Sequence, residues 1–288
     1  MNVVHSNTHF LKRDELYSTE KPYSLRFTPP EGFLRSNIKL EKHEIDIHDI
    51  RNHKSTLNFQ RDGVAILDFE SKMVYEDYDN EEVVKAVLLK EIANGLKVFL
   101  GGQHVQIFEH TVRKRHEIFP ISTGEPYRYN QPTSIAHVDT TTEWAFAMAQ
   151  QLNPRKAEKI GQHRLQCVNF WKPLVGPVRD WPLAMCNPTS IDPQTELEPC
   201  DLVYPDYVVE NRQVYHSNKQ KWFYLSNQMP NEAWVFLQAD SMPGTNPIAH
   251  TAFPFPDVGP ADVPPRESIE ARALVYYGGF GFGDEQEE

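Results

Sequence analysis

The chain has 288 residues, 40% of them hydrophobic and 11% aromatic, with a formal net charge of -11 and an isoelectric point near 5.6. That length can bury a large core as one domain, and the acidic balance argues against a nucleic-acid partner, whose phosphates would be repelled. No apolar run reaches the length of a membrane span, residues 1–7 lack the pattern of a secretory leader, and Cys167, Cys186 and Cys200 have no CxxC spacing, so a cytoplasmic protein with reduced, buried thiols is expected. A homodimer is left open.

Residues 1–60 are polar, carry Pro29-Pro30 and show few periodic runs; an irregular segment wrapping the core is expected there, followed by one domain over 61–288. The run from Val64 to Phe69 reads as a buried strand. Asp79-Asn80-Glu81-Glu82 then caps a helix whose apolar positions Val83, Val84, Val87, Leu88 and Ile92 recur at helical spacing, with Gly95 near its end. Val105 to Phe108 reads as a strand, and Arg113-Lys114-Arg115-His116 as a solvated basic turn. A loop rich in Pro, Gly and Tyr delivers the chain to Ala136-His137-Val138-Asp139. Thr140-Thr141-Thr142-Glu143 caps a helix that Asn153-Pro154 halts. Strands are expected over 164–171, 222–226, 233–239 and 268–276, separated by Pro-rich loops. Helices early and strands late predict a mainly β jelly roll decorated by helices.

His137-Val138-Asp139 is the most informative motif. Residues two apart on a strand face one way, so the imidazole and the carboxylate sit side by side. One more histidine completes the 2-His-1-carboxylate facial triad of non-heme Fe(II) oxygenases, which leaves three positions for ligands and O2. Alone the spacing is weak: roughly one is expected by chance in this composition, and an aspartate commonly only orients an imidazole. The third ligand is expected far downstream, where His216 and His250 are the candidates and His250, following the strand 234–238, is the better placed. A Pro-rich loop then leads to Arg266-Glu267-Ser268. A guanidinium fork beside a hydroxyl suits a dicarboxylate, which implies 2-oxoglutarate as co-substrate. Arg266 could equally cap the loop or pair with Glu267 or Glu270. The order of the four parts argues for a site.

That order resembles the hydroxylase/desaturase family that includes the cephem 7α-methoxylase-like proteins and the AsaB-like tailoring enzymes, a branch of the Fe(II)/2-oxoglutarate-dependent oxygenases. The likeness runs from about Val64 to Tyr277. It rests on Phe108-Glu109-His110-Thr111-Val112-Arg113, residues 136–141, 164–173 and 249–253, and Pro265-Arg266-Glu267-Ser268-Ile269-Glu270-Ala271-Arg272. It implies a double-stranded β-helix (cupin-like) core, with His137, Asp139 and His250 on iron and Arg266 with Ser268 on the distal carboxylate of 2-oxoglutarate. The interval from His250 to Arg266 is longer than in plant-type relatives, and Arg272 lies six residues on, so Arg272 is a second candidate anchor. On a strand both arginines face one side, and alternation does not separate them.

Tyr127, Tyr129 and Trp171 are candidate walls for an apolar substrate and Asn169 a candidate polar residue beside them, although aromatic residues serve as readily in a core. The resemblance implies oxidation of a small apolar natural product such as a terpenoid or polyketide. Hydroxylation, desaturation and oxidative rearrangement begin with the same hydrogen abstraction, so the sequence does not choose among them. Two other classes stay in view: a metal-dependent cupin-type enzyme without 2-oxoglutarate, which would have no use for Arg266, and a jelly-roll binding protein that has lost its chemistry.

Overall fold

The computed structural model describes residues 2–120, 127–256 and 263–280. Among these the chain is mainly β, with a five-stranded and a nine-stranded sheet. The smaller sheet runs in the order Val64–Asp68, Glu232–Asp240, Leu165–Pro173, Glu267–Tyr276, His104–Lys114, all antiparallel. Every residue of Leu165–Pro173 is buried, because one face of this sheet looks into the space between the sheets and the other lies under helices. Burial on both faces erases the polar alternation that a half-exposed strand shows, and an apolar run results.

Of those helices, Leu89–Leu100 buries Ile92, Leu96 and Leu100 along one stripe. Asn80 opens its approach by accepting from the backbone N–H groups of Glu82 and Val83, and a wide π turn at Val84–Leu88 joins the two parts. Gly95 does not end this helix: it stays inside, facing the Phe69 ring, and Gly101, at φ 71°, takes the left-handed position that terminates it. The helix Thr142–Leu152 is capped by Thr141, as expected.

The larger sheet runs Val3–Leu11, Leu40–Asp49, Trp222–Tyr224, Leu183–Cys186, His250–Ala252, His137–Val138, Val208–Val214, Leu197–Val203, Tyr23–Leu25. Residues 1–60 are therefore not an irregular wrapping. Val3–Leu11 pairs with Leu40–Asp49 and then returns to the far side of the same sheet through bridges at His9–Ile135 and Leu11–Tyr215. A second core closes around Phe10, Ile45, Ile47, Val138, Ala184 and Trp222. The inward positions of the first strand include Ser6 and Thr8, whose hydroxyls donate to the carbonyls of Pro254 at 2.7 Å and Ser134 at 2.8 Å. The two-residue period is thus written partly in hydroxyls, which hides it from a hydropathy reading.

Two further expectations meet the structure differently. Arg113-Lys114-Arg115 is no solvated turn: Arg113 and Lys114 end a strand, and Arg115 is buried against Asp180, its Nε donating at 2.5 Å. The three cysteines are free and buried, as expected, and burial pushes each thiol up to about 12, so they stay protonated and inert.

The buried carboxylate of Glu232 fastens the turn Arg51–Thr56 to the strand Glu232–Asp240, with Arg51 Nη1 and Lys54 Nζ each 2.5 Å from its Oε1. Burial opposes its charge, but those two cations outweigh burial and hold the carboxyl down to about 2. Its folded pKa lies below its unfolded one, so its contribution is complete above about pH 4.5 and fades as pH falls toward 2. Glu232→Gln is expected to cost about 1–3 kcal/mol at neutral pH, the two cations being partly exposed. Thermal melting checks this: the gap to the wild type should close on acidification, and a gap independent of pH would contradict it.

Candidate metal centre

His137 and Asp139 lie two residues apart, so both side chains point between the sheets while Val138 points into the second core. His250 stands directly opposite His137 in the neighbouring antiparallel strand, and the two imidazole centroids are 4.4 Å apart. One ligand atom from each of His137, Asp139 and His250 lies within 4.8 Å of the others.

The backbone fixes how each imidazole is presented. His137 Nδ1 lies 2.7 Å from the carbonyl of Ile135 and His250 Nδ1 3.3 Å from that of Ile248. A carbonyl only accepts, so each Nδ1 carries the proton and each Nε2 keeps a lone pair. Those Nε2 atoms lie 3.3 and 3.4 Å from Asp139 Oδ1 and Oδ2. Burial, with His137 alongside, pushes His250 down to about 4, which keeps it neutral at ordinary pH. Burial also works against the charge of Asp139, but the Arg272 guanidinium beside it holds its carboxyl well below the usual range. Two neutral nitrogens and one anionic oxygen converging from one side fit a divalent iron ion.

Three more side chains hold this arrangement. Gln238 accepts from the Asp139 backbone N–H at 2.6 Å and donates to the carbonyls of Leu237 and Ile248, both at 3.0 Å, joining the two ligand-bearing segments. Asn169 Nδ2 donates to Asp139 Oδ2 at 2.5 Å and Arg272 Nη2 to Oδ1 at 2.7 Å. Sequence reading overlooked Gln238. Its signal was an amide inside an otherwise apolar strand, since a buried amide must find partners.

Beside the three ligands is a recess whose walls include His137, His250, Trp171, Arg113, Arg266 and Glu270. Arg266 is 4% exposed; its Nη1 donates to the carbonyl of Trp181 at 2.6 Å, and its guanidinium carbon sits 5.5 Å from the Trp171 ring centre. Its Nε and the hydroxyl of the fully buried Ser268 have no partner among the described residues. Burial, with Arg113 beside it, pushes the guanidinium down to about 9. Of the two carboxylates that act on it, Asp180 is occupied by Arg115 Nε and the Arg266 backbone N–H, and Glu270 accepts from Arg272 Nε. Buried donors without acceptors are costly, and a carboxylate entering the recess would relieve them. Arg272 is placed differently: besides Asp139, its Nε donates to Glu270 at 3.1 Å and its Nη1 to Glu109 at 2.9 Å.

The structure does not bring every candidate to this place. Trp171 lines the recess, and Asn169 is engaged by Asp139. Tyr129 donates to Asp79 at 3.0 Å under the Lys114 ammonium, and the Tyr127 ring leans on His116, so both lie outside the walls of the recess. His216, the rival third ligand, is stacked 3.9 Å from His43 next to Phe10 in the second core.

A family model described as an oxidoreductase/YMDC permease-like domain matches residues 9–276. Among the described residues no helix is long and apolar enough to cross a membrane. The chain is 32% identical over 266 residues to the Fe(II)/2-oxoglutarate-dependent dioxygenase nvfI of Aspergillus novofumigatus, covering 90% of this chain and 92% of that one. It is 27% identical over 279 residues to the hydroxylase/desaturase poxK of Penicillium oxalicum, covering 86% and 83%. The fold superimposes on the solved structure of the iron and alpha-ketoglutarate-dependent endoperoxidase NvfI with a TM-score of 0.82 at 28% identity, over 96% of this chain and 99% of that one. The jelly-roll expectation holds.

Proposed function

The chain belongs to the Fe(II)/2-oxoglutarate-dependent dioxygenases, and from that membership we propose that His137, Asp139 and His250 hold its iron while Arg266 and Ser268 seat its co-substrate. The protein is an oxidoreductase that uses Fe(II), 2-oxoglutarate and O2 on a small molecule. The observation that carries the site assignment is the pairing of three converging ligand atoms with an adjacent recess lined by Arg266, whose Nε, like the hydroxyl of Ser268 two residues on, has no partner among the described residues.

When bound, iron would supply the activation of O2, whose four oxidising equivalents are consumed in decarboxylating 2-oxoglutarate to succinate and CO2 and in oxidising a substrate carbon. The chain's own residues do the placing. Arg266 offers the guanidinium fork and Ser268 one further donor to the distal carboxylate. Trp171 roofs the guanidinium and keeps water from it, which strengthens the charge pairing. Gln238 ties Asp139 to the backbone before His250, so the ligand-bearing segments keep their spacing.

For the substrate we propose an apolar natural product such as a terpenoid or polyketide, hydroxylated, desaturated or oxidatively rearranged in the cytoplasm. The relatives named as hydroxylase/desaturase and endoperoxidase support an oxidative tailoring role. Trp171 and Leu183 add apolar wall, and each Å² of buried apolar ligand surface contributes roughly 25 cal/mol. The net charge of -11 speaks against a nucleic acid. A metal-dependent enzyme without a 2-oxoacid would leave the buried Arg266 Nε, which has no acceptor among the described residues, unexplained.

The test is succinate formation with Fe(II), 2-oxoglutarate and air over a panel of apolar natural-product intermediates, free amino acids, nucleosides and peptides. Substrate-coupled succinate is expected only with members of the apolar set. Coupling confined to a nucleoside or a charged peptide would overturn the substrate class and leave the iron site standing.

A further inference from the structure

We propose that Arg272 and Asn169 are positioning residues that clamp the carboxylate of Asp139, one on each oxygen, and that Arg272 sets how firmly the site holds its metal. The inference rests on the reading of Asp139 as an iron ligand and goes beyond it by removing Arg272 from the co-substrate site.

The clamp joins the two sheets. Asp139 follows the strand His137–Val138 of the larger sheet, whereas Asn169 and Arg272 are directly opposed residues on adjacent strands of the smaller one. Arg272 Nη2 reaches Oδ1 at 2.7 Å and Asn169 Nδ2 reaches Oδ2 at 2.5 Å. Gripped on both oxygens, the carboxylate cannot swing about its own axis. Each oxygen then also faces an imidazole Nε2, at 3.3 and 3.4 Å. A carboxylate has about four lone-pair sites, so these two donors leave it acceptor capacity toward the histidines, where the metal is expected. The amide of Asn169 is oriented by the same demand: its NH2 faces the carboxylate, and its Oδ1 is buried without a partner among the described residues.

Arg272 is poorly suited to a free co-substrate. Its Nε, Nη1 and Nη2 are each already committed, to Glu270, Glu109 and Asp139. One guanidinium among three carboxylates leaves that group a formal charge of -2, which a bound divalent cation cancels. Removing the guanidinium makes the group more negative, which by itself favours a divalent cation, but Asp139 loses the contact that holds its direction, and that lost positioning outweighs the gain in charge. Partners of this kind behind a ligand typically change metal affinity 10–100-fold.

Co(II), which binds such sites without consuming O2, serves as the probe. Its affinity and visible absorption bands are read for the wild type, Arg272→Gln, Arg272→Lys and Asn169→Ala, with melting curves for each and the 2-oxoglutarate requirement measured at saturating metal. Arg272→Gln should weaken Co(II) about tenfold or more and move its bands, Arg272→Lys should recover part of both, and the 2-oxoglutarate requirement should stay within about twofold. Asn169→Ala, which removes a single neutral donor, should show a smaller change of the same kind and covers the case in which Arg272→Gln does not fold. Wild-type affinity and bands in folded Asn169→Ala and in a folded Arg272 variant overturn the clamp. A selective rise in the 2-oxoglutarate requirement of Arg272→Gln with unchanged Co(II) binding overturns it in favour of a co-substrate anchor. Asp139→Asn separates the two levels: wild-type Co(II) affinity there removes the ligand assignment itself, and the clamp falls with it.

Discussion

Arg266→Ala is expected to raise the 2-oxoglutarate concentration needed for half-maximal turnover by roughly thirtyfold to a few thousandfold, with iron content close to that of the wild type. Truncating one partner of a buried, hydrogen-bonded charge pair costs on the order of 2–5 kcal/mol, and each 1.4 kcal/mol is about tenfold. The recess gives reason to place Arg266 in that range. Its guanidinium is 4% exposed, Arg113 is a like charge beside it, and its Nε has no acceptor among the described residues. Arg266→Lys should recover part of the loss, since it restores charge without the planar fork. Ser268→Ala should cost less, about 1 kcal/mol for one neutral hydrogen bond. A structural complication is separable. Arg266 Nη1 also donates to the carbonyl of Trp181, a residue held at φ 42°, so the alanine variant loosens that turn as well. Melting curves report the loosening, and titration with 2-oxoglutarate reports the anchor. An unchanged requirement in a folded Arg266→Ala protein would remove Arg266 from the co-substrate site.

The architecture, and the candidate ligand set that the structure brings together, are legible where the chain carries its signal in residue type. Leu165–Pro173 and Glu232–Asp240 announce themselves as apolar runs because both of their faces are covered. His137 and Asp139 share a strand face by simple alternation, and the place of His250 after the strand 234–238 favours it over His216. Legibility ended where position in space decides. Ser6 and Thr8 are polar yet face a core, so the first strand has no apolar alternation to show in the sequence. Leu183–Cys186 and His250–Ala252 are too short to show a period; only their neighbours in the sheet make them strands. Arg115 looked like part of a solvated turn because its partner, Asp180, is 65 residues away. The two arginines six residues apart pose the same problem in sharper form. Alternation puts both on one face, and only the cross-strand neighbours separate them: Arg272 stands opposite Asn169 and reaches Asp139, whereas Arg266 precedes the paired strand and faces Trp171 and Arg113.

Replacing any one of His137, Asp139 and His250 is expected to abolish substrate-coupled succinate formation while the chain stays folded. In the proposed site the three are the protein's ligands, so losing one leaves two donors, and a two-ligand site of this kind competes poorly with water for a divalent ion. The variants should differ in stability for reasons the packing makes plain. His250 is 3% exposed, its ring 4.9 Å from that of Phe236, so His250→Ala opens a cavity and should lower the melting temperature of the metal-free protein. His250→Gln fills most of that space and serves as the gentler control. Asp139→Ala leaves Arg272 short of one acceptor and Asn169 of its only one, whereas Asp139→Asn keeps the shape and loses the charge. Asp139→Asn should therefore melt near the wild type without metal yet lose the rise in melting temperature that added metal gives, since a ligand that binds only the folded state stabilises it in proportion to the logarithm of its concentration. Metal content per chain, melting with and without metal, and succinate yield are to be read together on each variant. Full iron occupancy and turnover in His250→Gln or His250→Ala would remove His250 from the site, and with the half-buried His216 stacked on His43 beside Phe10 the third ligand would then have to come from elsewhere.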